Sequence, residues 1–335
     1  VMWDDEEKVG TAKFNEITKT DNTDYYKVFY DFETTTEGDK HIPYLMCCLT
    51  QDNKKRSFIG ANCGKEFINY LKKINEPKIL LIAHNQKYDI SFIYEYIFCL
   101  SILPKGNRIM GGGGRIYKYD KTFIEVKFQD SLNLIDSPLR KFGKMFNLEQ
   151  SKEVMPYSIY TQENIKYNFI SLKKILKTNE LKDNKDNQKI FYNNCDKWGL
   201  LEKSPKGQVC VNIVEYSRRY CEIDCEVLKN GYEVFRGWVS KIKLPDKSNC
   251  ELDIMNYCSS ASLVNDYMIK SGCYDGCYKL GGVPRAFIQN CVVGGKCMTA
   301  NNKIYHIKED IADYDGVSLY PSAMNELQGI LKLHN

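Results

Sequence analysis

Two acids stand two positions apart in Tyr30-Asp31-Phe32-Glu33-Thr34-Thr35, directly after the apolar run Val28-Phe29. In a strand, the period of two sends Asp31 and Glu33 to one face and Phe32 to the other. Paired carboxylates repel unless a cation joins them, so the pair is either a solvated strand end or part of a metal site. His84-Asn85-Gln86-Lys87-Tyr88-Asp89 follows the apolar run Leu80-Leu81-Ile82-Ala83. That order puts Asn85 and Asp89 at a strand-to-helix junction, where α/β sheets hold ligands. A helix cap for Asn85 and a first-turn acid for Asp89 are the competing readings. Tyr220 and Asp224 are one helical turn apart on a face beside the apolar Ile223, Val227 and Leu228. Tyr192 and Asp196 repeat the spacing, but Asn193-Asn194 reads there as a break. Acids converging from separate elements suit hydrolysis of a phosphodiester, in which two divalent ions about 4 Å apart activate water and neutralise the leaving oxygen. Such a site takes Mg²⁺ or Mn²⁺ on hard oxygen ligands.

The elements that must position these groups are legible from periodicity. Tyr26–Phe32 and Tyr44–Leu49 read as two strands of a hairpin turning at Glu37-Gly38-Asp39, Lys65–Ile74 as a helix, and Lys78–Ala83 as a buried strand. The Gly111–Gly114 run lacks the Gly-Lys-Ser/Thr ending of a phosphate-cradling loop and reads as a mobile hairpin tip. Residues 176–210, rich in Lys, Asn and Asp, read as a surface insertion with some helix. Val211–Phe235 shows an apolar stripe at helical spacing, and Lys241–Cys250 is a candidate linker. Beyond it are expected a helix near Leu252–Ile269, a loop at Gly281-Gly282-Val283-Pro284 and two β-like stretches ending at Ile311–Leu319. No internal repeat is visible.

With 335 residues, 43% hydrophobic and 27% charged, the chain has material for two ordinary cores and no apolar run long enough to cross a bilayer. Its first residues, Val1-Met2-Trp3-Asp4-Asp5, lack a secretory pattern, which points to an intracellular protein. The fourteen cysteines are irregularly spaced and read as reduced thiols rather than a disulfide scaffold. Cys221/Cys225 and Cys273/Cys277 have no neighbouring histidine to complete a tetrahedral zinc set. A formal charge of +4 permits a nucleic-acid partner without requiring one.

In their order and separation, Asp31/Glu33, Asn85/Asp89 and Tyr220/Asp224 resemble the Exo I, Exo II and Exo III motifs of the DEDDy 3′→5′ exonucleases over about residues 26–235. The resemblance implies an α/β, RNase H-like fold. It further implies that Asp31, Glu33 and Asp224 hold one metal, that Asp31 and Asp89 hold the other, and that Tyr220 orients the attacking water. Asn85, Tyr88 and Ser131 would grip a frayed single strand. Asp315-Gly316-Val317-Ser318-Leu319-Tyr320-Pro321 resembles motif A of the family B DNA polymerases. That match implies that Asp315 is a polymerase metal ligand, that Ser318 and Leu319 lie beside the nucleotide, and that Tyr320 excludes a ribose 2′-hydroxyl.

Three further matches resemble the protein-primed branch found in phages, adenoviruses, linear plasmids and self-synthesising elements. Ser131-Leu132 with Ile135 matches a motif touching single-stranded primer and terminal protein. Lys152 with Met155 matches one whose lysine supports exonuclease chemistry. Gly294-Gly295 matches a linker between the two activities, although Val292 stands where the branch has tyrosine. The implied partners are the single-stranded 3′ end, primer-template DNA, deoxynucleotides in the full-length enzyme and a terminal protein primer, with no membrane. The expected organisation is a lead-in over 1–24, the exonuclease over 25–240, a linker and helix over 241–282, and the start of a polymerase palm over 283–335. The later polymerase motifs are not in this sequence, so the piece alone is not expected to polymerise. A stand-alone nuclease of DNA or RNA and a catalytically inactive nucleic-acid-binding module are the alternatives.

Overall fold

A computed structural model describes residues 11–13, 21–35, 40–149, 153–275, 278–291, 301, 303–306 and 322. The chain divides into two compact units, a first of Thr11–Lys279 and a second of Val1–Gly10 with Leu280–Asn335. After a short strand β1 (Thr11–Lys13), the first unit is built on a mixed sheet of β2 (Tyr26–Thr35), β3 (Ile42–Thr50), β4 (Lys55–Ile59), β5 (Lys78–Ala83), β6 (Phe98–Lys105), β7 (Arg108–Tyr117) and β8 (Phe123–Asp130). Its order is β4-β3-β2-β5-β8-β7-β6. β2, β5 and β8 run parallel at the centre, and the outer pairs are antiparallel. Central parallel strands are buried on both faces, which is why Lys78–Ala83 reads as a continuous apolar run.

The two faces of β2 carry different partners. Val28, Tyr30 and Phe32 join the core under α1 (Cys63–Lys73), with Phe67, Ile68 and Leu71. Phe29, between them, points to the opposite side, where it packs with Val227, Leu228 and Tyr232 of α8 (Ile213–Val239). The alternation therefore carries Asp31 and Glu33 to the α8 side. α2 (Gln86–Ile90) follows β5, and between β8 and α8 the chain forms α3 (Ser131–Leu134), α4 (Phe142–Met145), α5 (Gln162–Tyr167), α6 (Leu172–Ile175) and α7 (Lys185–Lys197). A small sheet of β9 (Phe169–Ser171), β10 (Leu201–Lys203) and β11 (Val209–Asn212) lies beside them in the sequence. α9 (Ser260–Lys270) follows, and the second unit contains α10 (Gly282–Cys291).

Several expectations change. Gly111–Gly114 is not a hairpin tip but lies inside β7, paired on both sides. A Cβ on Gly112 would sit 2.4 Å from the Ser101 carbonyl oxygen, and one on Gly113 2.7 Å from that of Val126. The glycines are there to let neighbouring backbones approach. Residues 176–210 are more than a surface insertion: Leu181, Phe191, Cys195 and Leu200 are buried against Tyr216 and the underside of β3. Asn193-Asn194 does not break α7. The expected linker at 241–250 is a tight turn closed by Leu244 N–H to Ser248 O, and it ends on the buried Cys250, which packs with Leu252, Ile254 and Tyr232. The helix expected from Leu252 begins only at Ser260, with Ser259 and Ser262 forming a reciprocal cap. Gly282-Val283-Pro284 opens α10 rather than a loop, a place where proline's missing N–H has no helical partner to lose. The turn at residues 37–39 and the strands expected up to Leu319 lie outside the described residues. Every described cysteine is a free thiol. Among the described residues no helix is long and apolar enough to cross a membrane.

Candidate active site

Four acids from three elements meet in one cleft of about 390 Å³. Asp31 and Glu33 come from β2, Asp89 from α2 and Asp224 from α8, and all four line it with Asn85 and Tyr88. Asp89 and Asp224 are buried, as is Glu33, whereas Asp31 is half-buried. The Asp89 carboxylate accepts a hydrogen bond from the Phe32 N–H at 3.1 Å, which ties it to the peptide between Asp31 and Glu33. Burial, and then the charge of Asp31, push the Asp89 carboxyl well above its ordinary range. An acid so placed gains from a nearby cation, because one positive charge relieves both the desolvation and the repulsion.

Local backbone explains how Asn85 reaches the cleft. It precedes α2 at φ 71°, ψ 50°, the left-handed region that asparagine tolerates, and its side chain makes no cap to the helix. The competing reading of Asn85 as a side-chain cap therefore does not hold. Its N–H instead donates to Asp130 Oδ1 at 2.9 Å, and that carboxylate also accepts from Leu132 N–H at 3.0 Å. Asp130, which sequence reasoning passed over, therefore pins both the Asn85 loop and the start of α3. Burial is the main reason its carboxyl lies above the usual range.

Tyr220 is placed differently from expectation. Its ring is buried, it does not line the cleft, and its hydroxyl lies 2.8 Å from that of Tyr157. Tyr157 does line the cleft. Burial, and then the charge of Asp224, drive the Tyr220 phenol far above its ordinary value, so it stays protonated. The repeat of the spacing at Tyr192 and Asp196 lies on the exposed side of α7.

Ser131 also stands behind the cleft rather than in it. It is fully buried, donates to the Ala83 carbonyl at 3.0 Å and lies 2.9 Å from His84 Nδ1. His84 in turn lines the cleft and meets Phe142 edge to face. A second depression, of about 610 Å³, shares His84, Asn85, Leu139 and Tyr157 with the first and adds Leu132 and Arg140. Lys152, Gly294, Gly295, Asp315, Ser318, Leu319 and Tyr320 lie outside the described residues.

Hard carboxylate oxygens suit a divalent cation, but among the described residues only Asp31 and Glu33, with Cys221, form a group close enough to share one, while Asp89 and Asp224 line the same cleft outside that group. Asp31, Glu33 and Cys221 each offer an atom within 4.8 Å of the others. The Cys221 thiol, one turn before Cys225 on α8, lies 3.5 Å from the Asp31 carbonyl oxygen and 3.7 Å from Oδ2. Burial raises its pKa well above that of an ordinary thiol. It is therefore a weak donor beneath Asp31, and the hard carboxylates dominate. The neighbourhood of Tyr220 in the sequence contained this cysteine, but only the packing of α8 on β2 brings it to Asp31.

A family model described as DNA polymerase type B, organellar and viral, matches residues 71–329. Among curated proteins, a "Probable DNA polymerase" of Ascobolus immersus is 24% identical over an alignment 346 positions long, covering 94% of this chain and 26% of its own length. Among solved structures, Phi29 DNA polymerase complexed with single-stranded DNA is similar at TM-score 0.40 and 14% identity, over 64% of this chain and 32% of that one. The family B DNA polymerase from the hyperthermophilic archaeon Pyrobaculum calidifontis gives TM-score 0.36 and 10% identity, over 76% of this chain and 30% of its own. The chain spans about a quarter of the curated relative's length and about a third of each of these structures.

Proposed function

This chain belongs to the organellar and viral type B DNA polymerases, and we propose that residues 25–240 are their 3′→5′ proofreading exonuclease, of RNase H-like fold and of the protein-primed branch. One observation carries the reading: Asp31, Glu33, Asp89 and Asp224 converge from β2, α2 and α8 on a single cleft. The whole enzyme would extend DNA from a terminal protein primer. Its palm would begin over 283–335, with Asp315 as metal ligand, Ser318, Leu319 and Tyr320 at the nucleotide, and Gly294-Gly295 linking the activities. These last assignments rest on motif resemblance.

Asp31, Glu33 and Asp224 would hold one Mg²⁺ or Mn²⁺, and Asp31 with Asp89 the other. When bound, such ions supply a nucleophilic water and neutralise charge on the leaving oxygen. The chain's own groups do the rest. Phe32 N–H keeps the Asp89 carboxylate against β2. Asp130 pins the Asn85 backbone at the cleft. Tyr220, protonated and bonded to Tyr157, holds that second phenol at the cleft wall, where it would orient water or the scissile phosphate. Asn85, Tyr88 and Leu132 would contact the unpaired strand, the aromatic side chain by stacking. Ser131 would act through His84 and not by direct contact. Lys152 is proposed to support the chemistry on its motif alone.

The polarity of digestion tests this. Single-stranded DNA carrying a 3′-terminal label should release labelled mononucleotide as the first product in Mg²⁺, while a 5′ label stays on shortening oligomers. Release of the 5′ label first would overturn the assignment. An inactive binding module is disfavoured because none of the four acids has been lost.

A further inference from the structure

One lip of the cleft is built from three side chains brought together by the fold. Thr34 follows Glu33 in β2, His41 immediately precedes β3, and Tyr88 lies in α2. The Tyr88 hydroxyl is 2.5 Å from Thr34 Oγ1 and 2.8 Å from His41 Nδ1. The Tyr88 ring is edge-on to His41 at 5.5 Å and to Phe92 at 5.1 Å. Its hydroxyl is thus engaged and two rings stand near-perpendicular against it, while the ring still lines the cleft. Either imidazole tautomer satisfies this arrangement, because a phenol both donates and accepts.

We propose that His41 is a positioning residue that holds the Tyr88 ring as the wall on which the 3′-terminal nucleoside of a single DNA strand rests. The inference rests on the exonuclease reading. A nucleobase or sugar needs a flat, immobile surface beside the acids if its phosphate is to lie between Asp31 and Asp224. A ring that must be ordered on binding weakens affinity, and one already ordered does not. His41 lies at the exposed end of the hairpin and lines the cleft beside Tyr88, and its shortest hydrogen bond is the one to the Tyr88 hydroxyl. Its effect should therefore pass through Tyr88.

The test uses the full chain, a single-stranded oligodeoxynucleotide and Mg²⁺. His41→Phe keeps an aromatic edge but removes the hydrogen bond, and should raise KM about 3- to 10-fold with a smaller fall in kcat. His41→Gln, which can still reach the hydroxyl, should recover most of the loss. Tyr88→Phe should raise KM by a similar factor, and the double variant His41→Phe/Tyr88→Phe should be no worse than either single one. Additive effects would mean that His41 contacts DNA by itself and would overturn the proposal, as would a wild-type KM in His41→Phe. Thermal melting of each variant separates these results from loss of fold. Activity in wild type that survives Asp31→Ala would instead sink the exonuclease reading, which no outcome at His41 can do.

Discussion

The hydroxyl of Tyr220 lies 2.8 Å from that of Tyr157, so the buried phenol expected to act at the acids is coupled to a second phenol that faces the cleft. Two residues 63 positions apart in sequence thereby form one polar unit. The tyrosine visible in the Exo III-like pattern is its inner half.

This pairing predicts that Tyr157→Phe and Tyr220→Phe each lower exonuclease turnover, by roughly 10-fold, about the value of one hydrogen bond to a reacting group. Because they act as a unit, the double variant should lose little more than the worse single one. Single-turnover rates on single-stranded DNA check this.

How far the site was legible depends on the distance over which each signal acts. Asp31 and Glu33 share a face because a strand alternates, and Asp224 follows Tyr220 by one turn because a helix repeats. Both are local rules, and both hold here. The boundaries of β5 were likewise readable, since a doubly buried strand has only apolar positions to offer. What escaped depends on packing between elements. Tyr157 comes from a 3₁₀ turn with no periodic signal, and Cys221 meets Asp31 only because α8 crosses β2. The glycines of β7 looked like a turn because glycine marks both turns and close backbone contacts. Ser131 could be matched to a motif, but a motif does not reveal that its hydroxyl is already engaged by Ala83 and His84.

Asp89→Asn separates stability from chemistry. Burial and the neighbouring Asp31 hold the Asp89 carboxyl above its ordinary range, whereas an amide keeps the acceptor for Phe32 N–H without a charge. The variant should melt at a higher temperature than wild type in EDTA at pH 8. It should also lose the rise in melting temperature that Mg²⁺ gives wild type, and its exonuclease rate should fall by about 10²-fold or more.

The glycine run gives a purely structural prediction. Gly112→Ala should destabilise the first unit by about 1–3 kcal/mol, because the new Cβ meets the Ser101 carbonyl oxygen at 2.4 Å. Gly237→Ala, where nothing lies within 4 Å of the added carbon, should be neutral or slightly stabilising in its helix. Urea titration distinguishes the two.

Alkaline pH should weaken the fold. Burial pushes the thiols of Cys63 and Cys195 up to about 12, so the folded chain holds these protons more tightly than the unfolded chain. Their contribution is complete below the unfolded value near 9 and is lost as pH rises from there toward 12. Melting temperature should fall progressively above pH 9, and Cys195→Ala should flatten part of that fall.

The central claim is that the cleft is a metal-dependent 3′→5′ exonuclease site. The most direct measurement is the release of 3′-terminal nucleotides from single-stranded DNA in Mg²⁺ by the wild-type chain and by Asp31→Ala/Glu33→Ala, each shown to be folded by circular dichroism. The account predicts release by the wild type, its abolition by EDTA, and a fall of about 10³-fold or more in the double variant. Equal release by both proteins would contradict it.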